Sequence, residues 1–207
     1  MFKTVESNEE ADITEKKSKF IANIFYITSE EEAEEKIRQI KRKHNTARHH
    51  CYAYRIIRKN EIINKSNDDG EPSGTAGMPM LNILEKNSFI NILVVVTRYF
   101  GGILLGTGGL VKAYSEATQK VIEKSEIVIE EEGIELEIEL NYKDLENFKY
   151  YCNKNNINII DVKYSDLATC LIEANFVEKE NITSNTNLSI QKYKIIRKKY
   201  IRKNVEK

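Results

Sequence analysis

Residues 66–114 read SNDDGEPSGTAGMPMLNILEKNSFINILVVVTRYFGGILLGTGGLVKAY. Eight of the nine glycines and both prolines of the chain lie in this stretch. Because these residues permit or impose sharp turns, the stretch predicts two tight loops on either side of one apolar strand, residues 92–96. We call residues 68–77 the first glycine loop and residues 101–109 the second glycine loop. Loops of this kind bring backbone N–H groups close to a binding partner.

Length and composition predict an ordinary globular protein. The 207 residues are enough for one large domain or two small ones, and Lys plus Arg balance Asp plus Glu at 32 each. The sequence lacks an apolar run of membrane-spanning length, and its N-terminus is acidic and polar where a signal peptide would be basic and then apolar. We therefore expect a cytoplasmic protein with no membrane partner. Three scattered cysteines predict neither a disulfide framework nor a zinc site.

Strand and helix patterns alternate through the first 130 residues. Residues 1–12 predict a mobile lead, and the apolar run at 20–27 predicts a strand. A capping-box pattern at Ser29 predicts the start of a helix. Alternation over residues 50–57 predicts a further strand, followed by a hairpin turn at 58–61. After the second glycine loop we expect a helix whose first turn is capped by Thr107 or Gly108.

The last third of the chain predicts a second, smaller domain, residues 131–207. A strand is expected at 126–130, and Gly133, just after it, is expected to be the hinge between the two domains. Residues 134–140 alternate between apolar and polar, as in a sheet with one face exposed to solvent. The elements expected next are a helix capped by Asp144, strands at 157–164 and 167–176, a helix near 178–186 and a strand near Ile195. This order is β-α-β-β-α-β, the ferredoxin-like arrangement.

The second glycine loop has two interpretations. Gly106-Thr107-Gly108-Gly109 precedes a predicted helix, so its free N–H groups could bind an anion. It lacks the Gly-Lys-Ser/Thr ending of a Walker motif, and Val111 stands where a dinucleotide fingerprint needs glycine. The alternative is a tight strand-to-helix turn, and the sequence leaves both open.

Three carboxylates lie in the first glycine loop, at Asp68, Asp69 and Glu71. They could hold a hard cation, but an EF-hand register with Gly70 at its sixth position lacks both anchoring carboxylates. The simpler interpretation is that loop side chains bond loop N–H groups and that one carboxylate pairs with Arg98. We therefore predict no metal site.

His49, His50 and Cys51 raise the alternative of a cysteine–histidine hydrolase. Adjacent strand residues point to opposite faces, so His50 and Cys51 cannot pair directly, and no oxyanion donors are identifiable nearby. The sequence offers no complete set of nucleophile, base and oxyanion donor, which favours a binding protein over an enzyme.

Cations are expected at two places. Arg98 and Lys112 are nearest to the glycine loops, where Lys16, Lys17 and Lys19 could complete a basic rim. The C-terminal tail carries seven cations with no acid among them, and either a solvated terminus or contact with a phosphate backbone fits it. They are Lys192, Lys194, Arg197, Lys198, Lys199, Arg202 and Lys203.

Several blocks of this sequence resemble the YigZ/IMPACT family. They are DDGEPSGTAG at 68–77, VVTRYFGG at 95–102, LGTGGLV at 105–111, Ala113-Tyr114, KKSKFIA at 16–22 and His49 within HHCYAY. The blocks have the family's order and spacing, and the resemblance covers roughly residues 16–121.

The resemblance implies an α+β fold. The N-terminal domain, residues 1–130, would resemble the second domain of a small-subunit ribosomal protein (β-α-β-β-β-α type), and the C-terminal domain would be ferredoxin-like. The same two folds form the last two domains of elongation factor G, and this likeness links the family to ribosomes or RNA. A eukaryotic relative, IMPACT, inhibits a starvation-responsive translation kinase by competing for its ribosome-bound activator.

Function and site residues follow from the same resemblance. We expect a non-enzymatic translation-linked regulator that needs no cofactor and binds a ribosome, RNA or a translation-associated protein; a small-molecule or phosphate-ester hydrolase is the alternative. The residues expected to contact the partner are Lys17, Lys19, His49, Arg98, Gly101, Gly102, Gly106, Thr107, Gly108, Gly109 and Lys112. Those expected to organise the first loop are Asp68, Asp69, Gly70, Glu71, Ser73, Gly74, Thr75 and Gly77.

Overall fold

The computed structural model describes residues 1–58 and 61–204. The chain divides into two compact units, Phe2–Val128 and a second that begins at Ile129. The predicted hairpin turn at 58–61 includes residues 59 and 60, which lie outside the described residues. The strands on either side of it pair from Arg58↔Glu61 to Tyr52↔Asn67, so the hairpin itself is confirmed.

The first unit is a five-stranded antiparallel sheet with helices on both faces. Its elements are β1 (Phe2–Val5), β2 (Glu9–Glu15), β3 (Ser18–Tyr26), α1 (Glu30–Lys43), β4 (His49–Arg58), β5 (Glu61–Asn67), α2 (Gly77–Lys86), β6 (Ile92–Tyr99) and α3 (Gly106–Lys124). The strand order is β2-β3-β6-β4-β5, so β1 lies outside this sheet and β6 is central, as its continuous apolar run predicts. The succession β3-α1-β4-β5-β6-α3 is the expected β-α-β-β-β-α type, with β1, β2 and α2 added.

Two cores lie on opposite faces of this sheet. Leu93 and Val95 of β6 pack with α1 on one face, together with Ile37. Val94 lies in the larger core on the other face, where Tyr114 of α3 is fully buried. Burial on both faces explains why β6 shows no polar alternation.

The N-terminal residues correct one prediction, because residues 1–12 are not a mobile lead. Thr4 and Val5 of β1 are fully buried, and β2 pairs with β3 along its whole length. The turn between β2 and β3 is formed by Lys16 and Lys17, both with positive φ. The order of β2 comes from its pairing with β3, which a local pattern does not reveal.

The first helix begins after Ser29 as predicted, but other details of the helix N-termini differ from the prediction. Ser29 Oγ accepts from Glu32 N as expected, but the Glu32 carboxylate accepts from Thr28 N, one residue earlier than in a capping box. The helix α3 begins at Gly106 with Leu105 at the N-cap position and no side-chain cap, so neither Thr107 nor Gly108 caps it.

The second unit is ferredoxin-like, as predicted. Its elements are β7 (Ile127–Leu140), α4 (Tyr142–Lys154), β8 (Asn158–Tyr164), β9 (Ala168–Ala174), α5 (Phe176–Ser184) and β10 (Lys192–Asn204). The strands are ordered β10-β7-β9-β8, with Ile138 and Phe148 in the core beneath them. The helix α4 is preceded by Asn141 at the N-cap, so the prediction of Asp144 as its cap is wrong.

Gly133 is not the end of a strand, because β7 runs through it without a break. A Cβ at Gly133 would lie 2.7 Å from Ile201 Cδ1 and 2.9 Å from Ala174 O. Glycine is therefore favoured here by close packing.

The basic C-terminal tail forms the strand β10, in which residues 192–198 remain exposed to solvent. In β10, Arg197 pairs with Glu135, Lys199 with Glu135 and Glu173, Arg202 with Glu130 and Lys203 with Glu178. These four of the seven cations are neutralised inside the unit. The tail therefore offers a phosphate backbone far less charge than its sequence indicates.

Candidate functional site

One carboxylate fixes the backbone of the first glycine loop. Asp68 Oδ2 accepts from Gly74 N at 2.8 Å, and Asp68 Oδ1 accepts from Ala76 N at 3.0 Å and Gly77 N at 2.8 Å. The N–H groups of Ala76 and Gly77, which would otherwise lack partners at the start of α2, are thereby satisfied, and that of Gly74 is satisfied within the loop. The prediction that an Asp side chain bonds the loop N–H groups is confirmed.

The other residues that were predicted to organise the first glycine loop differ in what they contribute to it. Thr75 Oγ1 donates to Pro72 O at 2.6 Å, and a Cβ at Gly77 would lie 2.7 Å from Asn67 N. Gly70 and Gly74 have positive φ values of 88° and 76°, which favour glycine. Ser73 is exposed, and its side chain makes no hydrogen bond within the described residues, so no bond supports an organising role for it.

Asp69 ties the first glycine loop to α1 and β4. Its carboxylate accepts from Lys41 Nζ at 2.9 Å and from His50 N at 2.7 Å. Burial opposes the charged form, but these two hydrogen bonds outweigh it and lower the pKa of Asp69. His49 Nδ1 lies 2.9 Å from Asp69 O, so the loop is held to the first residue of β4 as well.

Glu71 joins the two glycine loops through buried partners. Arg98 Nη1 donates to Glu71 Oε1 at 2.6 Å, and Tyr114 Oη donates to the same oxygen at 2.9 Å. Arg98 is the second-last residue of β6, which precedes the second glycine loop, whereas Tyr114 lies in α3, which follows it. The predicted carboxylate–Arg98 pair is confirmed, and it brings the loops together.

Cys51 lies in the same buried network. Its Sγ is 3.0 Å from Asp68 O and 3.2 Å from Tyr114 Oη, and burial raises the pKa of the thiol to about 12. His49 Nε2 is 3.8 Å from Glu71 Oε1. A thiol protonated at neutral pH is a poor nucleophile, which argues against the cysteine–histidine hydrolase.

The second glycine loop lies on the β2–β3 turn. A Cβ at Gly101 would overlap the Lys17 carbonyl group, and Gly101 N donates to Ser18 Oγ at 3.2 Å. Because no side chain fits at Gly101, the loop backbone approaches the Lys16-Lys17 turn directly. Lys17 and Gly101, which are distant in sequence, therefore share one surface.

Open space surrounds much of this loop. A Cβ at Gly102, Gly106 or Gly108 would meet no atom within 4 Å, and Thr107 is exposed. Gly109 packs more closely, with Leu105 Cβ 3.0 Å from the position of its missing Cβ. The first turn of α3 has neither an acid nor a side-chain cap.

Arg98 needs a correction as a residue expected to contact a partner. Its side chain is 6% exposed, and its guanidinium is held by Glu71 beneath the loops. Lys19 is exposed but pairs with Asp12 at 3.5 Å. Lys17 and Lys112 are exposed and have no ion pair within residues 1–58 and 61–204. His49 is intermediate, with 14% of its side chain exposed.

Sequence reasoning missed Arg48 and Phe100. The Arg48 guanidinium lies 6.0 Å from the centre of the Phe100 ring, which is 40% exposed. The pairing of His49 with Arg98 across β4 and β6 places Arg48 beside the second glycine loop. Only this register, which is not readable from the local pattern, could have indicated the contact.

No group of three or more His, Cys, Asp or Glu side chains within the described residues could hold a metal ion. No helix within them combines the length and apolar character that a membrane crossing needs.

These features define a mixed α/β protein whose first unit carries two glycine loops joined by a buried ion pair. The model of the Impact N-terminal domain matches residues 16–122, more than half of the chain. The chain therefore belongs to the IMPACT family, as its sequence motifs indicate.

Individual relatives agree with this assignment. The chain is 49% identical over 117 residues to the IMPACT family member YvyE of Bacillus subtilis, covering 56% of this chain and 54% of that protein. It is 38% identical over 146 residues to an IMPACT family member of Haemophilus influenzae, covering 70% and 71%. A crystal structure described as a hypothetical protein matches 92% of this chain and 95% of its own, with 28% identity and a TM-score of 0.60. The match thus spans about half the length of the Bacillus relative.

Proposed function

We propose that this protein is a non-enzymatic, translation-linked regulator that binds the translation machinery or RNA through the glycine loops of its first unit. Membership of the IMPACT family supports the link to translation, since that is the role the family resemblance implies. The match spans about half of the Bacillus relative, so we propose this role for the first unit and do not extend it to the whole length of that relative.

The observation that carries the binding role is the set of free cations around the second glycine loop. Lys16, Lys17, Arg48 and Lys112 are all exposed, and none has an ion pair within the described residues. Most other cations near the loops are neutralised, as Lys41 is by Asp69 and Arg98 by Glu71. Unpaired cations beside open backbone attract an anionic partner.

Chemistry at the same loops supports binding over catalysis. The Glu71 carboxylate is occupied by Arg98 and Tyr114, and the Cys51 thiol has a pKa raised by burial. Each group is used to hold the loops in place. A hydrolase would need one of them to be free to attack or to transfer a proton.

Co-sedimentation with ribosomes and their subunits at low and moderate salt tests this proposal. We expect the wild-type protein to migrate with a subunit at low salt and to dissociate as salt rises. The Lys17→Ala/Lys112→Ala double variant should lose most of this association. The matched control is Lys86→Ala/Lys154→Ala, which removes two exposed lysines elsewhere and should behave as wild type. Wild-type protein that stays at the top of the gradient at every salt concentration contradicts the proposal.

A further inference from the structure

Residues 100–104, which are Phe100 and the start of the second glycine loop, expose large apolar side chains, and we call them the apolar tip. Leu104 is 83% exposed, Ile103 43% and Phe100 40%, and all three lie within five consecutive residues. Leu105, the next residue, is 9% exposed and belongs to the larger core of the first unit. The loop therefore buries one leucine and presents its neighbour to solvent, where a leucine adds nothing to folding.

The geometry of the loop holds this apolar tip in place. Gly101 lies against the Lys17 carbonyl group on one side of the tip, and on the other side Leu105 is buried below Gly109. Gly102 and Gly106 adopt positive φ values of 85° and 73°, which turn the backbone between these two anchors. A tip fixed at both ends loses little conformational entropy when a partner covers it.

The surroundings of the tip are positively charged. Lys17 touches the loop through Gly101, and the guanidinium of Arg48 lies over Phe100. Lys16 is the other residue of the β2–β3 turn, and Lys112 lies one helical turn beyond Gly108. All four cations are exposed, and none of them forms an ion pair with an acid within the described residues, so their charges are not neutralised by the protein.

Apolar and charged features together distinguish between partners. RNA binds through phosphates and through bases stacked on aromatic rings, and it gains little from an exposed leucine and isoleucine. An apolar centre within a charged rim is the pattern of a protein–protein interface. Because the charged side chains around the apolar tip are positive, the partner segment that complements them is acidic.

We infer that the second glycine loop is the docking surface for an acidic segment of a partner protein, with Leu104 inserted among apolar side chains of that segment. This inference rests on the proposed function and refines it, since it selects a protein over RNA as the ligand of the loop. Leu104 is the apolar anchor, and Lys17 and Arg48 select the charge of the partner.

Selection of random displayed peptides on the immobilised full-length protein tests the inference. Enriched peptides should combine Asp or Glu with bulky apolar residues, and their affinity should fall with salt. Leu104→Ser should weaken the binding of a synthesised, fluorescent enriched peptide about tenfold, the effect of losing one buried leucine. Val177→Ser removes a comparably exposed apolar side chain from α5 and should have no effect.

Charge is tested separately. Lys17→Glu/Arg48→Glu should abolish peptide binding, whereas Lys86→Glu on α2 should not change it. Because these side chains are exposed, all variants should keep the wild-type melting temperature, so loss of binding reports on the surface and not on folding.

Several results would overturn the inference. They are a selection that enriches no peptides, enriched peptides without acidic residues, and equal affinity for wild type and Leu104→Ser. A loop that binds oligouridine with Leu104-dependent affinity would indicate RNA, and a dimer that Leu104→Ser dissociates would indicate a second copy of the chain.

Ribosome co-sedimentation of the Leu104→Ser variant separates this inference from the proposed function. If wild type and Leu104→Ser both migrate with a subunit, the proposed function is supported and the role of Leu104 as the apolar anchor is contradicted. If wild type never migrates with ribosomes but binds an acidic peptide through Leu104, the proposed function fails and the docking surface stands.

Discussion

Arg98 Nη1 lies 2.6 Å from Glu71 Oε1, and this buried ion pair ties the first glycine loop to the strand that leads into the second. The Arg98 side chain is 6% exposed and that of Glu71 is 3% exposed. Tyr114 donates to the same carboxylate oxygen from α3, so one oxygen connects the segments on both sides of the second loop.

Arg98→Ala should destabilise the first unit by about 3–5 kcal/mol, because it leaves the Glu71 carboxylate buried with an incomplete set of partners. Urea unfolding followed by circular dichroism measures the change. Lys19→Ala removes an exposed cation paired with Asp12 and should cost less than about 1 kcal/mol. Equal stabilities for the two variants would show that the buried pair does not hold the loops.

Alanine at three glycines should give three different results. Gly101→Ala would place a Cβ on the Lys17 carbonyl and should cost about 3 kcal/mol or more. Gly102→Ala has space but a φ of 85°, and should cost about 1–2 kcal/mol. Gly108→Ala has space in the first turn of a helix and should stabilise by about 0.5–1 kcal/mol.

Thermal unfolding of the three glycine variants beside wild type gives the order directly. The predicted order of stability is Gly108→Ala, wild type, Gly102→Ala and Gly101→Ala. A Gly101→Ala variant as stable as wild type would mean that the second loop does not lie on the β2–β3 turn.

The cysteines should resist labelling in the folded protein. Cys51, Cys152 and Cys170 are all buried, and burial raises the pKa of each, to about 12 for Cys51 and Cys152. We expect no reaction with a maleimide in native buffer at neutral pH and three modified thiols after denaturation, as counted by mass spectrometry. Rapid modification of native Cys51 would revive the hydrolase alternative.

The second unit should lose stability in acid because of Glu135. Hydrogen bonds from Arg197, at 2.8 and 2.5 Å, lower the pKa of this carboxyl below its ordinary value of 4.5, with Lys199 adding to the effect against the opposing influence of burial. A carboxyl with a lowered pKa in the folded state stabilises above its unfolded pKa and loses this contribution as the pH falls through the folded value.

Urea unfolding of wild type and Glu135→Gln between neutral pH and pH 3 measures this dependence. The contribution of Glu135 should be constant above about pH 5 and should decrease below about pH 4.5. Glu135→Gln should be less stable than wild type at neutral pH and should show a weaker decline in acid. Parallel curves for the two proteins would contradict the role assigned to the Arg197 pair.

Patterns that repeat along the chain predicted most of the fold. The continuous apolar run of β6 and the alternation of β7 indicated strands correctly, because burial on two faces or one leaves a periodic signal. The local sequence pattern did not predict segments that are ordered by pairing with a distant strand. Residues 1–12 were predicted to be mobile, but β2 in this segment pairs with β3. The local pattern also failed at the starts of α3 and α4, where no side chain caps the helix.

The candidate site was predicted less completely, because its residues are brought together by strand register. A pair between Arg98 and one carboxylate of the first glycine loop was expected from complementary charge. Neither the choice of Glu71 nor the burial of the pair was expected, and a surface role for Arg98 followed from that error. Arg48 and Phe100 meet only because β4 and β6 pair as they do. The ion pairs of the β10 cations were not predicted, because their glutamate partners lie far away in sequence.

The Asp68 carboxylate has a practical consequence for experiments on this protein. Because it shapes the first glycine loop through backbone N–H groups, the exposed Ser73 side chain is free to be replaced. The three native cysteines are buried. A cysteine introduced at position 73 would then be the one readily labelled thiol, and a fluorophore attached there would report on events at the loops without removal of any native cysteine.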